Sequence, residues 1–134
     1  MAALSDYAEQ QIIDHLFRTG TFAKPAAIYI ALFTAAPSDS GGGTEASGGS
    51  YARVEVPQAD AQWNAPGTTG LTDNVNVITF PTATAPWGTI THFGIFDAAA
   101  AGNLLLHGAV TTSKVIGTGD IAQFAAGTLD VTFA

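Results

Sequence analysis

The spacing of apolar residues along the chain changes period once, near Pro25. Before it, Ala8, Ile12 and Leu16, with Ile13 and Phe17 beside them, recur at helical spacing and form one apolar stripe. Ser5 or Asp6 can cap this segment, Asp6 and Glu9 stand at capping-box spacing, and Gly20 sits where a C-terminal cap belongs. The pattern predicts a helix over 5–19. After Pro25, the run from Ala27 to Thr34 is apolar on both alternating faces: Ile28, Ile30 and Leu32 on one, Tyr29, Ala31 and Phe33 on the other. Such a run fits a strand covered on both sides, and the helix is a candidate cover for one of them.

Short β-type runs then recur at Tyr51–Val56, Asn74–Phe80, Thr89–Asp97, Leu104–Val110, Asp120–Phe124 and Leu129–Phe133. Turn signals part them: Ala65-Pro66-Gly67, Pro81 and Pro86, Ala101-Gly102-Asn103, Gly117-Thr118-Gly119 and Ala126-Gly127. The last run alternates, with Leu129, Val131 and Phe133 inward and Asp130 and Thr132 outward. The expected fold is all-β: a single antiparallel β-sandwich or jelly-roll-like domain over 1–134 with one N-terminal α-helix. Residues 36–50, carrying Gly41, Gly42, Gly43, Gly48 and Gly49 among small polar residues, read as a flexible Gly-rich loop or arm able to reach a neighbour.

Composition narrows the function. At 134 residues the chain has room for one core. Charged residues are only 11%, well below the usual ~25%. The surface is therefore largely neutral, which suits packing against neighbours. Net charge is −7, with Arg18, Lys24, Arg53 and Lys114 the only cations. Four scattered cations supply no basic stripe, so no nucleic-acid partner is expected, and acidity disfavours anionic lipid. There is no Cys, hence no disulfide and no thiolate site. The opening lacks a basic region followed by an apolar run, and no stretch approaches the ~20 apolar residues of a membrane span. Neither a signal peptide nor a membrane partner is expected, and synthesis in the cytoplasm follows.

Candidate chemistry is thin. His15, His92 and His107 lack metal-ligand spacing and read as hydrogen-bonded structural residues. Asp97, before an Ala-rich turn, belongs to a residue type that bonds turn backbone. Gly41-Gly42-Gly43-Thr44-Glu45 lacks the Lys-Ser or Lys-Thr of a phosphate loop, and Asp39 with Glu45 lacks the alternating carboxylates of a calcium loop. No nucleophile elbow or triad stands out. Neither an enzyme nor a cofactor or metal is expected. Trp87, between Pro86 and Gly88, reads as packed under a turn, while Trp63, in an irregular polar segment, is the better exposed-aromatic candidate.

Several segments carry a resemblance to a known family. Leu4-Ser5-Asp6-Tyr7-Ala8-Glu9 running into Ile13-Asp14-His15-Leu16 is similar to small bacteriophage virion structural proteins. So are Ile28 through Ala35, Gly49-Ser50-Tyr51-Ala52-Arg53, Trp87 through Ala98, Thr111-Thr112-Ser113-Lys114 and Phe124-Ala125-Ala126-Gly127. Members of that family are often labelled tail-fibre proteins, and some resemble trimeric head-decoration (cement) proteins. The resemblance implies a virion component without catalytic residues. Two roles follow as expectations. The first is a cement protein on the capsid exterior, a homotrimer bound to the major capsid protein by desolvated neutral surface. The alternative is a tail or tail-fibre component bound to tail proteins and used in host attachment; a carbohydrate-binding module is a third class. The candidate assembly contacts are Leu4, Tyr7, Gly42, Thr44, Tyr51 and Trp63.

Overall fold

The structure is a computed structural model and describes residues 2–133. It opens with β1 (Ala2–Leu4) and the helix α1 (Asp6–Phe17), then β2 (Ile28–Ala35), β3 (Thr44–Glu45), β4 (Val54–Val56) and β5 (Leu71–Thr72). There follow β6 (Ile78–Thr79), β7 (Gly88–Phe96), β8 (Leu104–Ile116), β9 (Gln123–Phe124) and β10 (Val131–Thr132). The main sheet has the order β1-β8-β7-β2-β3, and β4 shares the outer edge of β2 with β3. Two short ladders, β5 with β10 and β6 with β9, form the opposing layer. All pairings are antiparallel. This is an all-β sandwich with one N-terminal helix.

The core lies between the layers. Ile30, Leu32, Phe93, Ile95 and Ile116 of the sheet meet Ile78, Phe80, Leu129 and Val131 from the other side. The second face of the sheet carries a smaller cluster of Ala31, Phe33, Phe96 and Leu104. Both faces of β2 are thus buried, as its unbroken apolar run requires. Gly94 is needed here: a Cβ would stand 2.9 Å from the Phe33 ring and 3.1 Å from that of Phe96. The two rings stack across the gap with centroids 6.3 Å apart.

The helix is shorter than the expected 5–19 and is covered differently. Ser5 caps it: its Oγ accepts from Ala8 N at 3.1 Å and donates to the Leu104 carbonyl, while its own N–H donates to Leu105 O at 2.9 Å. One residue therefore ends β1, starts α1 and ties both to β8. At the other end the cap is Arg18 in extended conformation, and not Gly20. Gly20 instead allows close approach, since a Cβ there would lie 2.9 Å from Asp14 Cβ. Only the first turns pack on the protein: Ala8 is buried, whereas Ile13, Leu16 and Phe17 are 53%, 65% and 80% exposed.

The β-runs differ at their ends for identifiable reasons. The run from Asn74 to Phe80 is divided between two partners, Asn74 bridging Trp63 and Ile78–Thr79 pairing with β9. Conversely, β8 continues past Val110 to Ile116, and its end pairs again with Gly88–Ile90. Between Ile90↔Lys114 and His92↔Ala109, β8 carries Val110–Ser113 against Thr91 alone, a broad bulge. Phe133, read as inward, is 51% exposed, because the ladder of β10 ends at Thr132. Finally, the segment 36–50 is not loop throughout. Thr44–Glu45 forms β3 against β2, Ala46 N donates to Leu32 O at 2.8 Å, and Ala46 is buried. Gly43 makes the entry possible: at φ +75 it passes where a Cβ would lie 2.7 Å from Pro37 N.

Candidate functional site

Three places on the molecule combine shape with chemistry. The first is a cleft of about 620 Å³ over the second face of the sheet. Its walls are the start of α1 (Asp6, Tyr7, Gln10), the Gly-rich segment (Asp39 to Gly43) and the turn at Gly102–Leu104, with Phe33 and Phe96 at its floor. Asp6 N donates to Asp39 O at 2.9 Å, and His107 Nε2 meets Asp39 Oδ1 at 2.8 Å, so helix, loop and β8 are joined at one rim.

The opposite rim is a charged clamp. Arg53, 7% exposed, meets Glu45 with two parallel bonds: Nε to Oε1 and Nη2 to Oε2, both 2.8 Å. Its Nη1 donates to Ala98 O at 2.9 Å and Ala101 O at 2.8 Å, and the guanidinium lies 3.6 Å above the Phe96 ring. A planar fork with a π-face suits this placement as no ammonium would. Tyr51 completes the clamp, donating to Glu45 Oε1 at 2.9 Å and accepting from Leu32 N at 3.0 Å. Burial, reinforced by the Glu45 charge, pushes its hydroxyl well above the ordinary 10.0. The hydroxyl serves as a hydrogen-bond post between Glu45 and the β2 backbone.

The second place is a cavity of about 230 Å³ under the β8 bulge. Its floor is Leu32, Phe80, Ile90, Phe93 and Phe124; Val110, Thr111 and Thr112 roof it, and Lys114, Gln123, Thr128 and Asp130 ring the mouth. Bulges that re-aim a strand are common beside binding sites. The third is the bare end of α1, where Ile13, Leu16 and Phe17 face solvent.

The six candidate contacts are dispersed. Tyr7 and Gly42 line the cleft, and Thr44 stands beside it on β3, its carbonyl accepting from Thr34 Oγ1 at 3.3 Å. Leu4 pairs with Leu106, Tyr51 is engaged in the clamp, and Trp63 lies across the sheet, half-buried. Trp63 is therefore no exposed platform, and its Nε1 is buried without a partner. Trp87 is buried under the Gly49 turn, to which it donates at 3.0 Å, and its ring meets Tyr51 edge-on at 5.2 Å. Asp97 holds its turn by accepting from Asn103 N at 2.7 Å.

The histidines make ordinary bonds: His15 accepts from Phe22 N at 3.4 Å, and His92 pairs with Thr91 Oγ1 at 2.9 Å. Among the described residues no group of three or more His, Asp or Glu stands close enough to hold a metal ion. No helix among them is long and apolar enough to cross a membrane. Sequence reasoning missed the Arg53–Glu45 clamp and the cavity. The available signal was a cation directly before a strand in a chain that has only four.

A family model described as Podophage GP4 fiber I protein gp80 matches residues 3–132, nearly the whole chain. The chain belongs to this family. It is therefore a phage virion structural protein of fibre type. No protein among the curated ones matches it. The matched residues span α1 and the residues of the cleft, the clamp and the cavity.

Proposed function

We propose that this gp80-family protein is an adhesive subunit of the phage tail-fibre apparatus, joining copies of itself and neighbouring virion proteins by shape and desolvation without catalysis. The observation that carries this reading is the bare end of α1. A chain with 11% charged residues leaves Ile13, Leu16 and Phe17 in water while most of its large apolar side chains are buried in the sandwich. Clustered exposed apolar side chains mark interaction surfaces. The titratable groups support the absence of catalysis, since Glu45, Arg53 and Tyr51 are spent on one another and on backbone. The fibre description of the family favours tail over head.

The second reading is a cement protein on the capsid exterior, bound as a homotrimer to the major capsid protein. Its support is the compact sandwich, which lacks the elongated repeats of a fibre shaft. In both readings the partners are proteins, and neither nucleic acid nor membrane is engaged. Antibody labelling of intact virions decides between them: label at the tail is expected, and label spread over the head overturns the tail assignment in favour of cement.

A further inference from the structure

We propose that copies of this chain join head to tail, Phe17 at the end of α1 of one copy seating in the cavity under the β8 bulge of the next. The inference deepens the self-association proposed above and rests on it. Three observations lead to it.

Size comes first. Phe17 is 80% exposed, and Ile13, one helical turn before it, and Leu16 beside it form a collar. The cavity holds about 230 Å³ over an aromatic floor of Phe93 and Phe124, whose rings already meet edge-on at 6.0 Å. An apolar cavity of about 150 Å³ accommodates a benzene ring, so a phenyl group fits with room for its stem.

Charge comes second. Asp14, three residues before Phe17, lies on its side of α1, and Arg18, the extended residue that follows Phe17 and ends the helix, bonds Asp14 at 2.9 Å. At the cavity mouth stand Lys114 and Asp130, also one of each sign, and among the described residues neither forms an ion pair. Docking sets Asp14 toward Lys114 and Arg18 toward Asp130. Each sign meets its opposite, which fixes orientation and disfavours the reversed approach.

Topology comes third. No residue of α1 lines the cavity, so the helix end cannot fill it within its own chain. A projection and a hollow on different patches of one molecule make a heterologous contact. Repeated copies then close into a ring where the rotations sum to a full turn, and otherwise extend as a filament.

The test is sedimentation equilibrium of the full chain, alone and in mixtures. Wild type is expected to self-associate. Phe17→Ser, which removes the projection, and Thr112→Trp, which puts a large ring on the cavity lining and takes up its space, are each expected to weaken association roughly thirtyfold, the size of an interface hot spot. Lys114→Glu tests the mouth charge independently, and circular dichroism checks that each variant keeps its fold.

Mixing the Phe17→Ser and Thr112→Trp proteins gives the decisive readout, because each retains the half that the other lacks. A heterodimer that grows no further is expected. Wild-type oligomers left intact by all three variants overturn the seating of Phe17 while self-association stands. Loss in the single variants without recovery on mixing overturns the head-to-tail geometry. A wild type that stays monomeric at every concentration overturns both the seating and the self-association.

Discussion

The Gly-rich segment with its clamp and the end of α1 reverse what their composition suggests. The segment 36–50 is polar, rich in glycine and poor in apolar residues, yet Thr44–Glu45 is a strand and Ala46 is buried. The helix carries a regular apolar stripe, yet Ile13, Leu16 and Phe17 toward its end stand in water. The difference lies in what each element can be tied to. Glu45 meets a guanidinium fork that also bonds two carbonyls and stacks on a ring, so a polar segment gains a fixed place. The helix is fastened through its first residues, with Ser5, Asp6, Tyr7 and Ala8 making the ties, and a short helix held at one end buries most of what lies near that end. Apolar patterning marks a face that must be covered; it does not say that the same chain covers it.

The largest effect is expected from breaking the clamp. Arg53→Ala strands a half-buried carboxylate and frees the carbonyl of Ala101, a non-glycine residue held at φ 51. A loss of about 3 kcal/mol, and a fall in Tm on the order of 10 °C by calorimetry, is expected. A variant within 1 °C of wild type removes the clamp from the account.

Next is Asn74→Ala. Asn74 is 1% exposed; its Nδ2 donates to Asn76 O and Ala125 O, and its Oδ1 accepts from Thr128 N and Leu129 N. Orphaning these groups is expected to cost about 2–3 kcal/mol, with faster amide exchange concentrated at 125–131.

Tyr51→Phe sharpens the comparison through pH. Folded Tyr51 holds its proton above the value at which the unfolded chain releases it, so the unfolded state binds fewer protons in that window. Wild-type stability therefore falls as pH rises past about 10, and the slope should lessen in the Phe variant. At neutral pH the variant loses about 1 kcal/mol from its two hydrogen bonds. Parallel stability curves for the two proteins from pH 9 to 11 would sink the assignment.

The smallest change in stability belongs to the bare helix end. Phe17→Ser touches almost nothing in the isolated chain and is expected to shift unfolding by less than ~0.5 kcal/mol. A drop as large as that of Arg53→Ala, measured by urea unfolding of the monomer, would mean that Phe17 is covered within its own chain.

Much of the fold was readable from residue order. Ile28 to Phe33 announced a strand covered on both faces, and Ser5, one of two caps the sequence offered, marked the helix start, whereas the capping-box spacing of Asp6 and Glu9 falls inside the helix. The wide β8 was half visible: Leu104 to Val110 read as a strand, but Thr111 to Lys114 did not, because a bulge breaks the alternation on which strand reading depends. Trp63 read as the more exposed of the two tryptophans because its neighbours are polar, although most of it is covered by residues distant in sequence. The candidate site was the least legible part. Glu45 and Arg53 are eight residues apart with a turn between, so no spacing rule joins them.

By itself the sequence determined the all-β class, the single helix, the two-faced central strand and the poverty of ionisable groups, because these depend on local period and composition. Tertiary structure alone decided that Arg53 and Glu45 close the Gly-rich segment, that Val110–Thr112 border a cavity, and that Phe17 is left outside. Those outcomes depend on which distant surfaces meet, and burial is a property of the meeting rather than of either strand or helix alone.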